Sequence, residues 1–220
     1  MAKTSFKAGG LIPMDNALMR AERIATPDDF DVPLTHEARF ECLYPDNQGS
    51  TSECAGRAMA GYIEVHNWRQ THRAIQEDGS ALYAEAKKID GFPDEDGTTA
   101  SAIVQAAKNL GRLDESLTMR RIRTQLDVQF ALHTHRVIMA GFMISQNWNY
   151  AKKDGFIGTK WDDRIGGHMV LLNSYNLDPE EGPLYYGWQN SWGFDWGWHG
   201  NGRMTPKQFS SELIYAVVLE

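Results

Sequence analysis

The spacing of apolar residues changes near residue 136, and this change constrains the fold more than any other feature of the chain. Before that point apolar residues recur at helical intervals, whereas after it short apolar runs separated by turn residues are typical of strands. A helix formed by residues 52–72 would be apolar around most of its circumference, which predicts a buried central helix. A helical first half followed by a β-rich second half indicates an α+β fold with a possible cleft between the halves.

Capping and turn residues set the boundaries of these elements. Ser52 is the predicted N-cap of the central helix. Three further helices are predicted over residues 81–89, 100–110 and 119–133, with Gly111 ending the second of them. Strands are predicted over residues 137–144, 168–175, 184–189 and 214–219. The basic cluster of the 119–133 helix is interpreted as its solvent-facing side; it consists of Arg120, Arg121 and Arg123.

The charge and cysteine content limit the classes of function. A net charge of −7 over 220 residues is unsuited to nucleic acid or anionic membranes, which require basic surface. No run approaches the roughly 18 apolar residues of a membrane span, and residues 1–10 lack the apolar stretch of a secretory signal. Only one disulfide could form, between Cys42 and Cys54. We therefore expect a protein of a reducing cytoplasm, including a phage-encoded protein that acts in its host cell.

The chemistry that the chain could perform centres on Cys54. It lies in the first turn of the predicted central helix, where the helix dipole lowers the pKa of a thiol. Attack on an amide also needs hydrogen-bond donors for the oxyanion, for which the Cys54 N–H and the Gln48 side-chain amide are candidates. A lone cysteine in an apolar helix is more often a core residue, and a lone histidine such as His168 in an apolar strand is more often packed. Neither residue identifies a site by itself.

Three ordered motifs change this interpretation. The sequence QNSWGFDWGWHG, from Gln189 to Gly200, closely resembles the Asn-Ser-Trp-Gly signature of papain-like cysteine peptidases. The segment from Gln48 to Cys54 resembles the family's Gln-Gly…Cys motif, and GHMV around His168 resembles its histidine strand. The asparagine lies 136 residues after the cysteine (190 − 54) and the histidine 114 (168 − 54). The resemblance covers about residues 36–220 and is closest to small bacterial and phage members without disulfides.

The resemblance implies a fold and a set of roles. It implies one catalytic domain over residues 1–220, in which a helical lobe and an antiparallel β-rich lobe flank the active-site cleft. The approximate parts are an N-terminal strap at 1–45, a helical lobe at 46–125 and a β-rich lobe at 126–220. The implied catalytic residues are Cys54 as nucleophile, His168 as general base and acid, Asn190 as the group that orients the histidine, and Gln48 as oxyanion donor. The implied cleft residues are Gly97, Thr98, Met169 and Trp192, of which Trp192 also shields the His–Asn hydrogen bond.

Three departures from the family pattern affect the active site. Thr51 replaces a cysteine that is disulfide-bonded in many relatives, which agrees with a reducing compartment. Ala55 replaces the usual tryptophan after the nucleophile, so we expect a more open leaving-group side of the cleft. Glu53 replaces a small residue directly before Cys54. If its carboxylate faced the sulfur it would raise the Cys54 pKa, whereas a solvent-facing carboxylate would have little effect.

The expected function is that of a cysteine endopeptidase that cleaves polypeptides through a thioester acyl-enzyme. Two alternatives stay open at this point: a specialised amidase or isopeptidase with the same triad, and an inactive papain-like binding or structural protein. No cofactor is expected. No metal site is expected either, because the pairs His133/His135 and His66/His72 lack zinc-ligand spacing. The oligomeric state is not determined by the sequence.

Overall fold

The structure is a computed structural model that describes residues 9–13, 15–42, 45–158 and 164–220. Within these ranges the helices are α1 (Asn16–Arg20), α2 (Cys54–Thr71), α3 (Gly79–Lys87), α4 (Ala100–Asn109), α5 (Gln125–His135) and α6 (Pro206–Glu212). The strands are β1 (Thr35–Glu37), β2 (Met119–Ile122), β3 (Ile138–Ser145), β4 (Arg164–Asn176), β5 (Tyr185–Gln189), β6 (Asn201–Met204) and β7 (Leu213–Leu219).

A single antiparallel sheet organises the molecule. Its strand order is β2-β7-β3-β4-β5-β6, and β1 pairs with β4 outside this path. Every pairing between these strands is antiparallel. The helices α2, α3 and α4 precede most of the sheet in the chain, so the α+β prediction is confirmed.

Alternation along β4 places two hydrophobic cores on opposite faces of the sheet. Met169 and Leu171 pack with the core of α2, α3 and α4. Val170 and Leu172 belong to the second core, which α5 and α6 cover. This follows from the two-residue period of a strand, because successive side chains point to opposite faces. His168 precedes this run, and its ring lies against Trp148 and Trp192 of the second core.

The helix α2 lies close to the sheet because of a small residue. A Cβ added at Gly61 would lie 3.0 Å from Leu171 Cδ2, so a larger side chain would push the helix away from β4. Eleven of its 18 residues are buried, as expected for a helix that is apolar nearly all round. Within the described ranges, no helix is long and apolar enough to cross a membrane.

The prediction of a helix over residues 119–133 was wrong for residues 119–124, whereas residues 125–133 belong to the helix α5. Met119–Ile122 is a strand that pairs with β7, and α5 begins only at Gln125. Thr124 and Asp127 form a capping box at that point: the Thr124 hydroxyl accepts the Asp127 N–H, and the Asp127 carboxylate accepts the Thr124 N–H. The interpretation of the basic cluster as the solvent-facing side of a helix was wrong for the same reason.

The other predicted elements are present with shifted ends. The N-cap of α2 is Glu53 rather than Ser52, and its side chain makes no capping hydrogen bond. The remaining predicted helices and strands are α3, α4, β3, β4, β5 and β7. The strand β6 and the short helices α1 and α6 were not predicted, because each is only four to seven residues long.

Candidate active site

The first residue of α2 is Cys54, and its side chain is fully buried. The backbone N–H of Met169 on β4 donates to Cys54 Sγ at 3.4 Å. The sulfur therefore lies between the beginning of α2 and the strand that carries His168. The helix N-terminus and the Met169 N–H both favour a thiolate.

An asparagine orients the imidazole of His168. His168 Nε2 lies 2.7 Å from Asn190 Oδ1, and both residues are buried. The Ser191 N–H also donates to this oxygen at 2.8 Å, which identifies it as the acceptor end of the amide. Nε2 therefore donates, and Nδ1 carries the lone pair of the neutral ring. Within the described ranges, Nδ1 has no hydrogen-bond partner.

Aromatic rings enclose the imidazole. The ring of Trp192 lies 4.9 Å from that of His168 between centroids, and the ring of Trp148 lies 5.9 Å away. Trp192 is only 2% exposed. It therefore covers the histidine and the His–Asn hydrogen bond, rather than forming an open surface of the cleft.

Burial leaves both candidate catalytic groups uncharged. It raises the pKa of Cys54 from 9.0 to about 12, and the backbone N–H groups of Met169, Ala55 and Cys54 only partly oppose this. Burial also lowers the pKa of His168 from 6.5 to about 4, although the bond to Asn190 opposes the shift. Thiol catalysis needs an ionised cysteine and imidazole, so both shifts oppose the reactive state of the site.

The N-terminal segment closes the site. Residues 9–12 are the part of the predicted N-terminal strap that contacts the cleft, and we call them the strap. The N–H groups of Gly9 and Leu11 donate to Gly167 O at 3.1 and 3.3 Å, and the Ile12 N–H donates to Thr98 O at 2.9 Å. The Thr98 N–H in turn donates to Gly10 O at 3.2 Å. The strap thus adds backbone hydrogen bonds to the two walls of the cleft.

Glycines make this close approach possible. A Cβ added at Gly10 would lie 2.7 Å from Cys54 Sγ and 2.6 Å from Ser52 O. On the opposite wall Gly97 has a φ of +88°, and a Cβ there would lie 2.5 Å from Gly10 C. Side chains at either position would push the strap out of the cleft.

Leu11 fills an apolar pocket beside the sulfur. Its side chain is 2% exposed. A Cβ added at Gly141 would lie 2.5 Å from Leu11 Cδ2 and 3.1 Å from the Tyr215 ring. Gly141 and Tyr215 therefore form a recess that fits one aliphatic side chain.

The Gln48 side chain does not extend freely into the cleft. Its Nε2 donates to Thr51 O at 2.7 Å, and its Oε1 accepts the Ser191 hydroxyl at 2.6 Å. The Gln48 N–H also donates to Ser191 O at 2.8 Å. These bonds connect the loop before Cys54 to the loop after Asn190.

The carboxylate of Glu53 faces a cation rather than the thiol. Glu53 Oε2 lies 2.7 Å from Arg57 Nη2 and accepts the Ser80 hydroxyl at 2.8 Å. Arg57 also pairs with Asp46 at 2.6 Å. The hypothesis of an inward carboxylate that raises the Cys54 pKa finds no support in this arrangement, and Glu53 is not free in solvent either.

The sequence of this chain matches a known family. The profile described as papain family cysteine protease matches residues 21–216. The chain belongs to this family. It is a papain-family cysteine peptidase, and a polypeptide substrate follows from the family. No curated protein matches the sequence significantly.

Solved structures show the same papain fold. Xylellain, a cysteine protease from Xylella fastidiosa, superposes with a TM-score of 0.79 over 100% of this chain and 98% of its own, at 17% identity. Procathepsin B from Trypanosoma congolense superposes with a TM-score of 0.74 over 96% of this chain and 85% of its own, at 10% identity. Procathepsin L 3 from Tenebrio molitor superposes with a TM-score of 0.70 over 91% of this chain and 75% of its own, at 15% identity.

The sequence-predicted residues fall into two groups in this papain fold. His168 contacts Asn190 and Trp192, and the next residue of the same strand, Met169, donates its N–H to Cys54 Sγ. Gly97 and Thr98 lie against the strap. Sequence reasoning predicted an N-terminal strap but missed its contacts with the cleft, and it also missed Gly141, Tyr215 and Arg57. The adjacent Gly9 and Gly10 were a signal for the strap, since paired glycines permit close backbone contact.

The papain fold holds no evident metal centre in the part of the chain that the structure describes. No group of three or more His, Cys, Asp or Glu side chains comes together there. Cys42 and Cys54 are both free and buried, so neither forms a disulfide.

Proposed function

We propose that this papain-family protease is an endopeptidase with Cys54 as nucleophile, His168 as base and Asn190 as the residue that orients the base. The supporting observation is the 2.7 Å His168–Asn190 hydrogen bond on a strand whose next residue, Met169, donates its N–H to Cys54 Sγ at the start of α2. That bond fixes the tautomer in which Nδ1 accepts a proton. A base in this tautomer is what a thiol nucleophile requires.

The proposed reaction has two stages. In the open form His168 Nδ1 takes the Cys54 proton, and the thiolate attacks the scissile carbonyl carbon. The C–N bond breaks as His168 returns the proton to the amine, which leaves a thioester on Cys54. Water then attacks this thioester, with its proton passing to Nδ1 and back to the sulfur, and the acid product leaves.

The proposed oxyanion donors are the Cys54 N–H and the Gln48 side-chain amide. The bond from Ser191 Oγ holds the oxygen end of that amide. The nitrogen end donates to Thr51 O, three residues before the nucleophile. The Gln48 amide has to rotate away from Thr51 to reach a substrate oxyanion. We assign this rotation to the opening of the cleft.

The strap supports a latent state of this enzyme. It forms backbone hydrogen bonds to Thr98 and Gly167 on the two walls and places Gly10 against the sulfur of Cys54. An extended substrate would need the same backbone groups. Turnover therefore requires that the strap leave the cleft. The Leu11 recess then becomes available for an aliphatic substrate side chain.

Cleavage-site profiling tests this function. A tryptic peptide library would be digested with wild-type protein and with Cys54→Ala, and new termini would be identified by mass spectrometry. Cys42→Ala is the matched control, because Cys42 is also a buried free thiol. We expect new α-peptide termini with an aliphatic residue near the cut in the wild type and in Cys42→Ala, and none in Cys54→Ala. Cleavage of isopeptide bonds alone would favour an amidase, and no cleavage would favour a binding protein.

A further inference from the structure

Two adjacent arginines of β2 have opposite environments. Arg120 lies on the outer side, where it pairs with Glu22 and with Glu220. Arg121 is only 9% exposed. The difference follows from the strand itself, because successive side chains of β2 point to opposite faces. A basic residue has thus been placed inside the protein.

The guanidinium of Arg121 lacks a charged partner. Its Nη1 donates to the thioether of Met19 at 3.6 Å, and its Nε has no hydrogen-bond partner within the described ranges. No carboxylate of those ranges lies within ion-pair distance of it, whereas Arg23, Arg57 and Arg136 each have one. A thioether is a weak acceptor, and a buried cation is normally paired.

Arg121 lines a cavity of about 510 Å³ between α1, β2 and the end of α6. Polar side chains of Arg123, Thr124, Gln125 and Ser210 lie on the same wall. The carboxylate that also lines it is Asp15, which already accepts from the Leu18 N–H, the Ser101 N–H and the Ser101 hydroxyl. The neutral groups are bonded as well, because Gln125 Nε2 donates to Ser210 Oγ and the Thr124 hydroxyl accepts the Asp127 N–H. The cationic groups of this cavity are the guanidinium groups of Arg121 and Arg123.

We propose that this cavity binds a small molecule through an anionic oxygen group, a phosphate or a carboxylate, with Arg121 as the residue that pairs with it. The bound anion supplies the charge and the acceptors that Arg121 lacks. A guanidinium suits both groups, because its planar donors match two oxygens at once. The site lies outside the catalytic residues and is independent of the proposed peptidase activity.

The experiment compares three probes at constant ionic strength: inorganic phosphate, glycerol phosphate and acetate. Isothermal titration calorimetry would give the Kd of each for wild-type protein, for Arg121→Met and for the control Arg120→Gln. We expect saturable binding of at least one probe, weakened more than tenfold in Arg121→Met and less than twofold in Arg120→Gln. Binding of the phosphates without acetate would identify a phosphate site, and the reverse a carboxylate site. Either the absence of saturable binding by all three or equal binding by Arg121→Met would overturn the proposal.

Thermal unfolding without any probe provides a second readout. Methionine keeps most of the length of the arginine side chain and removes the unpaired charge, so Arg121→Met should unfold at a higher temperature than wild type. If that variant fails to fold, hydrogen exchange of the wild type replaces it. Saturating phosphate or acetate should then slow exchange in peptides from α1 and β2, and unchanged exchange there would overturn the proposal.

Discussion

Gly10 lies directly against the sulfur of Cys54. A Cβ added at Gly10 would lie 2.7 Å from Cys54 Sγ, closer than van der Waals contact permits. This contact links the N-terminal strap to the residue that the family places at the centre of catalysis. It adds to the burial that raises the pKa of Cys54 to about 12.

Adding one methyl group at Gly10 should activate the enzyme. In Gly10→Ala the new methyl group meets both Cys54 Sγ and Ser52 O, so the strap should leave the cleft. We expect a rate of peptide hydrolysis at least about tenfold above wild type. This corresponds to a loss of about 1.4 kcal/mol in the free energy that favours the closed strap. The matched control is Gly158→Ala, where an added Cβ meets nothing within 4 Å. An unchanged rate in Gly10→Ala would show that the strap does not restrain turnover.

Acid pH should open the strap. Burial lowers the pKa of His168 from 6.5 to about 4. We expect release of the strap to expose the imidazole to water and to restore its ordinary pKa, so that between these two values the open form binds a proton that the closed form does not. The free energy that favours the closed strap is therefore at its full value above pH 6.5. It decreases as the pH falls, by up to about 1.4 kcal/mol per pH unit. Cys54 has the opposite sign: its pKa rises from 9.0 to about 12, so closure is also lost as the pH rises above 9.

Hydrogen exchange measures this pH dependence. Protection factors of the Leu11 and Ile12 amides, which donate to Gly167 and Thr98, should be highest between pH 6.5 and 9 and should fall on both sides. The amides of α4 serve as an internal control and should show no such maximum. Protection of Leu11 and Ile12 that is flat across pH 5–9 would contradict the account.

Asp127 should be important for stability. Burial opposes its ionisation, but Arg23, Thr26 and the N–H groups of Thr124 and Arg123 lower the Asp127 pKa from 3.8 to about 2. Asp127→Ala should reduce the free energy of unfolding by about 2–3 kcal/mol at pH 7. This difference is present above pH 3.8 and is lost as the pH falls towards 2.

Urea denaturation at pH 7 checks the Asp127 prediction, with the exposed Asp94→Ala as control. Asp94 lies in an exposed loop, so its replacement should change the free energy of unfolding by less than about 0.5 kcal/mol. An equally small change in Asp127→Ala would show that the capping box and the Arg23 pair contribute little.

Glu53→Gln should leave the acid–base behaviour of Cys54 nearly unchanged. The Glu53 carboxylate binds Arg57 and Ser80, so its charge is compensated locally. Plots of iodoacetamide labelling rate against pH should superimpose for wild type, Glu53→Gln and the exposed control Glu95→Gln. A displacement of the Glu53→Gln profile alone to lower pH would revive the hypothesis that this carboxylate opposes the thiolate.

Sequence patterns predicted the elements that are long and regularly spaced. The burial of α2 on most of its sides and the strands β3 and β4 follow from the spacing of apolar residues. The papain motifs selected His168 and Asn190, which the structure joins by a hydrogen bond. The segment Met119–Ile122 was mistaken for helix, because its residues suit a helix until β7, almost a hundred positions later, pairs with them.

The partners of the strap in the cleft and the burial of Arg121 were not predicted from the sequence. Gly10 meets Cys54 and Gly97 across more than 40 positions of the chain, and such contacts leave no local periodicity. Arg121 resembles its neighbours Arg120 and Arg123 in the sequence, and only its place on the inner side of β2 distinguishes it. Both features depend on packing between distant segments.

The central claim is that Cys54 is the nucleophile, and site-specific labelling with an epoxysuccinyl inhibitor of thiol peptidases tests it most directly. The labelled residue would be identified by peptide mapping, and residual activity would be measured in the same samples. The account predicts one label on Cys54, loss of activity in proportion to labelling, and a fall of more than about a thousandfold in Cys54→Ala and His168→Ala, with a smaller fall in Asn190→Ala. Labelling of Cys42 instead, or peptide hydrolysis by Cys54→Ala at the wild-type rate, would contradict it.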